Sequence, residues 1–206
     1  MVPKGAQRWA PLRLLTAAAP RASISWVTPQ LISIYSEDKP GYLENAGFMF
    51  QQMDLYLQSI GLGACWLGMG RMNAKAKNAA EGMKFVMLIA FGFPKGEPLR
   101  SGVEEFKRKG FAEISDRTDA RLEPARLAPS SINSQPWYFT HEGDVTHVYC
   151  VQQGFLKAKT IGYMNSIDVG IALAHMYVAN PESFRFFKAE SPASVKGYGY
   201  IGSFEI

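Results

Sequence analysis

The stretch ARLAPSSINSQPWYF, residues 125–139, joins a short apolar helical pattern to a bend rich in uncharged polar groups and then to an aromatic strand pattern. Two prolines enclose the bend, and the polar side chains between them are Ser130, Ser131, Asn133, Ser134 and Gln135. Such residues are common at turns because their side chains bond nearby backbone groups. The two prolines and the tryptophan that follows favour a second interpretation, a rigid edge that holds a neutral, planar ligand. We call residues 129–136 the polar bend.

The composition is that of an ordinary globular protein. The chain has 206 residues, 47% of them hydrophobic, which is enough to bury a sizeable core. The net charge of +4 is mild and the basic residues are scattered, so no nucleic-acid partner is expected. Cys65 and Cys150 lack the spacing of a zinc site or a disulfide framework, which favours a reducing, cytoplasmic location.

The N-terminal segment is basic and contains Lys4, Arg8, Arg13 and Arg21 before any acidic residue appears. Its apolar run, residues 12–20, is interrupted by Arg13 and Thr16, which disfavours a signal peptide. No stretch reaches the roughly 18 apolar residues that a membrane span needs. We therefore predict no membrane association, and an irregular or incomplete segment over residues 1–30.

A long helix is predicted over residues 42–60, because apolar residues recur there with a spacing of three and four. They are Ala46, Met49, Phe50, Met53, Leu57 and Ile60, and Gly61 follows where a helix ends. Phe48, Leu55 and Tyr56 lie outside this stripe, so the helix is apolar on nearly all sides. Such a helix is expected at the centre of its domain or in a subunit interface.

The rest of the chain predicts alternating strands and helices in one α+β domain, residues 1–206. Strands are expected over residues 25–37 (broken by Pro29), 84–94, 137–140 and 145–151, followed by two aromatic strands at the end of the chain. Short helices are expected over residues 101–111 and 122–128, and a longer one over 165–180 with Ser166 as N-cap. GLGACWLGMG, residues 61–70, is predicted to be a glycine-rich connection.

No familiar catalytic or metal-binding motif is present, so no catalytic residue and no metal ligand is assigned. The three histidines, His141, His147 and His175, show no ligand spacing, and His175 is expected to be capped or to face solvent. The glycines of residues 61–70 either punctuate a loop or bring backbone N–H groups close to a flat ligand. The basic run around Arg108 is either a solvated face or a phosphate site.

Four segments together resemble the FMN-dependent nitroreductase family, in a branch with an internally duplicated layout. Residues 125–139 are similar to its flavin-site motif APSxxNxQPW, and residues 45–68 to its dimer-core helix and GLGTCWLG, with Ala64 in place of threonine. RKGFAEIS, residues 108–115, resembles the segment RKPLEEI, and residues 167–176 resemble the helix LDxGIALAH. The order of the first two motifs is that of this branch and the reverse of that in simpler nitroreductases.

The resemblance implies an α+β fold with a central, mostly antiparallel sheet flanked by helices and a long buried helix at a dimer interface. It implies a homodimer that binds FMN near the subunit interface and passes electrons from NAD(P)H to a small-molecule acceptor such as a nitroaromatic or a quinone. The residues carried over are Pro129, Ser130, Ser131, Asn133 and Gln135 along the flavin, the backbone of Trp66, Leu67, Gly68 and Met69 at the reactive edge of the ring, and Arg108 near the phosphate. The flavin supplies the reactivity, so no protein acid, base or nucleophile is required.

One feature departs from the family pattern. Its members begin with an Arg-Arg-Ser type segment that grips the phosphate, and no such segment precedes residue 25 here, since Arg8 and Arg13 lie in other contexts. Either the chain lacks an N-terminal piece, or the phosphate is held differently, or flavin binding has weakened. Two alternatives therefore stay open: a non-catalytic flavin- or ligand-binding protein on the same fold, and a chain that dimerises through the helix at residues 42–60 without a ligand.

Overall fold

A computed structural model describes residues 30–68, 80, 82–94, 100, 102–154 and 162–206. The predictions for residues 1–29 and for Met69 lie outside these ranges. Within the described ranges, no helix is long and apolar enough to cross a membrane.

The first sheet has three antiparallel strands in the order β1-β3-β2. They are β1 (Gln30–Ser36), β2 (Gly63–Leu67) and β3 (Lys84–Gly92). Residues 86–90 of the central strand β3 are buried in succession, as the near-continuous apolar run predicts for an interior strand. The prediction that residues 61–70 form only a connection is wrong, because Gly63 to Leu67 pair with β3 from Gly92 to Leu88 and make β2 an edge strand.

Helix α1 (Tyr42–Ser59) follows β1 and confirms the long helix predicted from the apolar spacing. It ends as expected, because Gly61 has a φ of +83°, a conformation that glycine adopts without strain. The stripe is shorter than predicted: Ala46, Phe50 and Leu57 are buried, whereas Ile60 is 54% exposed.

The second sheet has four antiparallel strands in the order β4-β5-β7-β6. They are β4 (Trp137–Glu142), β5 (Val145–Val151), β6 (Arg185–Phe187) and β7 (Tyr198–Glu205). The predicted hairpin through Gly143 joins β4 to β5, and Gly143 has a φ of +59°. The fold is therefore α+β, and the strands of the described residues form two antiparallel sheets where one central sheet was predicted.

Short helical segments precede the second sheet. The helix predicted over residues 101–111 is reduced to the 3₁₀ turn Val103–Phe106, and helix α2 (Phe111–Ile114) begins only at the last residue of that range. A 3₁₀ turn, Ala120–Leu122, leads into helix α3 (Glu123–Leu127), which has proline in its first turn as predicted. The chain then enters the polar bend.

Helix α4 (Tyr163–Ala179) is the second long helix, and ten of its seventeen residues are buried. It begins earlier than predicted: the N-cap is Gly162, and Ser166 lies inside the helix, so the assignment of Ser166 as N-cap is wrong. Ile167, Ile171 and Ala174 are buried as expected, whereas Val178 is 48% exposed.

Helices α1 and α4 pack against each other through a reciprocal pair of glycines. A Cβ atom added to Gly47 would lie 2.0 Å from the carbonyl oxygen of Ile167, and one added to Gly170 would lie 1.9 Å from that of Glu44. Each glycine therefore lies against a carbonyl of the other helix, three residues before the glycine of that helix. One hydrophobic core runs from this helix pair into both sheets.

Candidate functional site

The polar bend has an unusual backbone. After Ser130, the 3₁₀ turn Ser131–Asn133 contains Ile132 at a φ of +49° and Asn133 at +57°, and Gln135 follows at +47°. A β-branched residue at positive φ is a conformational outlier, and each such residue costs about 1–3 kcal/mol unless its surroundings hold it. The bend therefore needs contacts from other elements to keep its shape.

Hydrogen bonds inside the bend use several of the predicted site side chains. The N–H of Gln135 donates to Ser130 Oγ over 2.9 Å, and Gln135 Nε2 donates to the carbonyl of Asn133 over 3.1 Å. The N–H of Lys109 donates to Gln135 Oε1 over 2.7 Å, and Asn133 Nδ2 donates to the carbonyl of Lys107 over 3.0 Å. These last two hydrogen bonds hold segment 107–109 against the bend.

Arg108 lies against this bend, and in the part of the chain that the structure describes its guanidinium donates to neutral oxygens. Its Nε donates to the carbonyl of Leu127 over 3.2 Å, and its Nη1 donates to the carbonyl of Phe106 and to Asn133 Oδ1. Burial lowers the pKa of the Arg108 guanidinium, and the charges of Arg100 and Arg126 lower it further. A half-buried guanidinium among other cations favours an anion such as a phosphate.

The other predicted segment lies at the end of β2, where Trp66 is held from α1. The Trp66 Nε1–H donates to Gln51 Oε1 over 3.1 Å, and Gln51 Nε2 donates to Asp54 Oδ2 over 2.9 Å. Asp54 is 4% exposed, and burial raises its pKa despite the hydrogen bonds from two glutamine amides. The side chain of Leu67 is buried, so only the backbone of this residue is available to a ligand.

Met164, in the first turn of α4, connects the two predicted segments. Ser131 Oγ donates to Met164 Sδ over 3.1 Å, and a Cβ atom added to Gly68 would lie 3.4 Å from the same sulfur. The Tyr163 hydroxyl donates to the carbonyl of Gly68 over 2.9 Å. The end of β2 and the polar bend, which are distant in the sequence, therefore meet at the start of α4.

Two polar side chains of α4 face the same region, although the sequence analysis gave them no role in the site. Both carboxylate oxygens of Asp168 accept the N–H of Ser131, each over 3.1 Å. Burial raises the pKa of Asp168 to about 7, and hydrogen bonding to the Ser131 N–H and to the Ser134 side chain opposes that shift. Burial and then the charge of Arg108 lower the pKa of His175 to about 4, so the expectation of a capped or solvent-facing His175 is wrong. Isolated polar residues in an apolar helix were the signal for both.

The remaining histidines stabilise the second sheet. His141 Nδ1 lies 2.6 Å from Asp116 Oδ1, and His147 Nδ1 lies 2.7 Å from Ser203 Oγ. In the part of the chain that the structure describes, no group of three or more His, Cys, Asp or Glu side chains is arranged to hold a metal ion.

A small recess lies beside the basic segment. It has a volume of about 350 Å³ and is lined by Gly110, Phe111, Ala120, Glu123 and Arg126. Arg126 is paired with Glu123 there and stacks over the ring of Phe111 at 5.6 Å. The volume of the recess is at the lower limit for a ligand site, and the charge of Arg126 is already neutralised by Glu123.

Comparison with known proteins identifies the family. Residues 19–180 match the family described as "Putative TM nitroreductase". The chain belongs to this family. The crystal structure of a putative nitroreductase from Thermotoga maritima MSB8 is similar to this chain with a TM-score of 0.56 and 19% identity, over 95% of this chain and 78% of the other. No curated protein matches the sequence.

Family membership confirms the resemblance to nitroreductases, and the similarity to the solved structure confirms the α+β fold class. Nitroreductases are oxidoreductases, and nitroreductase-like proteins generally use a flavin. The residues of this chain fit such a cofactor in two respects. Among the described residues, the cation of Arg108 is bonded to neutral oxygens, and β2 is an edge strand whose outer backbone groups are free of sheet pairing.

Proposed function

We propose that the protein is an FMN-dependent oxidoreductase that transfers electrons from NAD(P)H to a nitroaromatic, a quinone or a related small acceptor. The observation that carries the proposal is the meeting of the two flavin-site segments at Met164. Ser131 donates to its sulfur and a Cβ atom added to Gly68 would lie 3.4 Å from it, although the two residues lie 63 positions apart in the sequence. A bend with polar groups on one side and backbone donors on the other suits a flat heteroaromatic ring.

Each group of site residues would have a different role in binding the flavin. Pro129, Ser130, Ser131, Asn133 and Gln135 would frame the ring, and the backbone of residues 66–69 would direct N–H groups to its reactive edge. Arg108 would bind the phosphate. A bound flavin would supply the hydride and electron transfer, and the fixed donors of the chain would stabilise negative charge near the ring.

The assembly follows as a further part of the proposal. We propose one nitroreductase-like domain over residues 1–206, because α1 and α4 share one core with both sheets. A homodimer would have to use surfaces other than the α1–α4 contact, which is already made within one chain, and the exposed Tyr56 and Ile60 at the end of α1 are available. The two free cysteines agree with a cytoplasmic location.

The test is a spectrum of the purified protein, followed by FMN titration and addition of NAD(P)H. We expect flavin absorption that bleaches with NAD(P)H and returns with an electron acceptor. Riboflavin, which lacks the phosphate, provides a sharper comparison: Arg108→Ala should weaken FMN binding towards that of riboflavin and leave riboflavin binding unchanged. Arg185→Ala, an exposed change on β6, is the matched control. Protein that binds no FMN after reconstitution would refute the proposal.

The structure also supports a second candidate, a flavin- or ligand-binding protein without turnover. Ser130, Asn133 and Gln135 already spend side-chain hydrogen bonds on one another and on segment 107–109. Fewer side-chain donors and acceptors are therefore available to a cofactor than the sequence motif alone predicts. This candidate predicts FMN binding without acceptor-dependent NAD(P)H oxidation, and steady oxidation with any acceptor would rule it out.

A further inference from the structure

Asp168 and Met164 hold the same residue of the polar bend from one face of α4. They are four positions apart, so their side chains lie one above the other on the helix. Asp168 accepts the N–H of Ser131 with both oxygens, and Met164 accepts its hydroxyl. Ser131 is the first residue of the 3₁₀ turn and directly precedes the residues with positive φ. The strained part of the bend therefore begins where α4 grips it.

Asp168 is a buried carboxylate whose presence is not explained by a contribution to the stability of the fold. The residue is 3% exposed, and within the described residues it takes part in no ion pair. A buried carboxylate without a cation destabilises the folded state, and an apolar side chain would pack at this position at lower cost. What the carboxylate adds is an acceptor strong enough to fix one backbone N–H.

We propose that Asp168 is the positioning residue of the polar bend, whose ionised carboxylate holds the N–H of Ser131 and keeps the bend in the shape that receives the ligand. The inference rests on the proposed function, because it takes the bend to be part of the ligand site. It adds a regulation of that site: proton uptake by Asp168 releases the bend and weakens ligand binding.

The titration falls in an accessible range, because burial raises the pKa of Asp168 to about 7. The charge of Asp168 acts on Cys150 of β5, as does that of Glu44 of α1, and His175 lies two turns further along α4. The pKa of Cys150 is raised to about 12 and that of His175 is lowered to about 4, so neither changes charge near neutral pH. On α3, Glu123 and Arg126 pair with each other.

The expected effect on binding follows from the ionised fraction. With a pKa near 7, about nine tenths of Asp168 is ionised at pH 8 and about one tenth at pH 6. If only the ionised form holds the bend, the apparent Kd for FMN is about tenfold higher at pH 6 than at pH 8. Asp168→Asn, which is never ionised, should bind FMN at both pH values at least as weakly as the wild type does at pH 6.

The experiment uses two measurements on the full chain. In the ligand-free wild type, the amide signal of Ser131 is followed by NMR from pH 5.5 to 8.5, and FMN binding is followed by flavin fluorescence over the same range. We expect the Ser131 signal to titrate with a midpoint near pH 7 in the wild type and in the control Asp38→Asn, an exposed acid paired with Lys84, but not in Asp168→Asn.

The outcomes separate the inference from the function on which it rests. A Ser131 amide that does not titrate in the wild type overturns the inference, whether or not FMN binds and whether or not the variant folds. An FMN affinity of Asp168→Asn equal to that of the wild type at pH 8 also overturns it. Titration of Ser131 without FMN binding at any pH supports the grip of Asp168 on the bend and refutes the flavin function instead.

Discussion

The contact between α1 and α4 provides the sharpest test of the fold. Gly170→Ala would place a Cβ atom 1.9 Å from the carbonyl oxygen of Glu44, whereas real Cβ contacts are essentially never shorter than 3.0 Å. The carbonyl would have to retreat by about 1.1 Å. It belongs to the backbone of a helix, so no side-chain rotation relieves the clash. The two helices must separate along their contact.

The expected loss of stability combines two opposing effects. Alanine is favoured over glycine inside a helix by about 1 kcal/mol, which would make this change stabilising in an isolated helix. Overpacking typically costs ~1–3 kcal/mol, and separating the helices also removes dispersion contacts along the interface, for a total of about 4 kcal/mol. The net decrease in the free energy of unfolding is then about 3 kcal/mol, or a fall in Tm of about 6–12 °C for a domain of this size.

Thermal unfolding followed by far-ultraviolet circular dichroism, with urea unfolding as a second method, measures this change. Gly47→Ala should behave alike, because its Cβ atom would lie 2.0 Å from the carbonyl of Ile167. Gly154→Ala is the matched control, since nothing lies within 4 Å of its added Cβ atom. If Gly170→Ala unfolds at the wild-type temperature or above, the close approach of the helices is wrong.

Three further predictions concern single side chains. Asp168→Asn should raise the free energy of unfolding at pH 8 by about 2 kcal/mol, and the variant and the wild type should be about equally stable at pH 4. The pKa of Asp168 is raised in the folded state, so its ionisation destabilises the folded protein as pH rises, and the cost of burying the amide offsets part of the stability that the variant gains. Equal stability of variant and wild type at pH 8 would contradict this. Met164→Leu should keep the packing on Gly68 but lose the bond from Ser131 Oγ, so FMN binding should weaken by a few fold while Tm stays within about 2 °C; an unchanged Kd would show that this bond is dispensable. Hydrogen bonds from Arg121 lower the pKa of Asp119 to about 2, so stability is retained above pH 4 and lost as pH falls towards 2; acid unfolding of Asp119→Asn should lack this contribution, and identical acid profiles would refute it.

Local pattern was enough to predict most of the elements. The spacing of apolar residues located α1, and the uninterrupted apolar run placed β3 inside its sheet. Gly61 and Gly143 marked a helix end and a hairpin because both positions require a positive φ. These signals act within a few residues, and tertiary contacts did not override them.

The errors arose where a distant partner decides the outcome. Residues 63–67 form a strand because β3 pairs with them, and the glycines within and around this stretch hid the strand pattern. Ser166 would suit an N-cap, but packing extends α4 by a turn beyond it. The polar groups of the bend were predicted as ligand contacts, and the sequence could not reveal how many would bond to segment 107–109. Asp168 was visible only as an acid in an apolar helix, because its partner, the N–H of Ser131, comes from another part of the chain.

The different burial of α1 and α4 allows a last prediction about which helix moves when their contact is disturbed, and so about which part of the site is affected. Ten of the seventeen residues of α4 are buried, against six of the eighteen of α1, so α1 should be the helix that moves when Gly170 becomes alanine. Its displacement would carry Gln51 and disturb the hydrogen bond to Trp66, whereas Asp168 would stay beside Ser131.

In folded Gly170→Ala, well below its Tm, the indole N–H signal of Trp66 should therefore shift in NMR spectra. The amide of Ser131 should still titrate with a midpoint near pH 7, because its acceptor lies on the helix that does not move. Gly154→Ala should change neither signal. The reverse pattern, a displaced Ser131 amide with an unchanged Trp66 indole, would mean that α4 yields first. The polar bend would then depend on the helix contact as much as the end of β2 does.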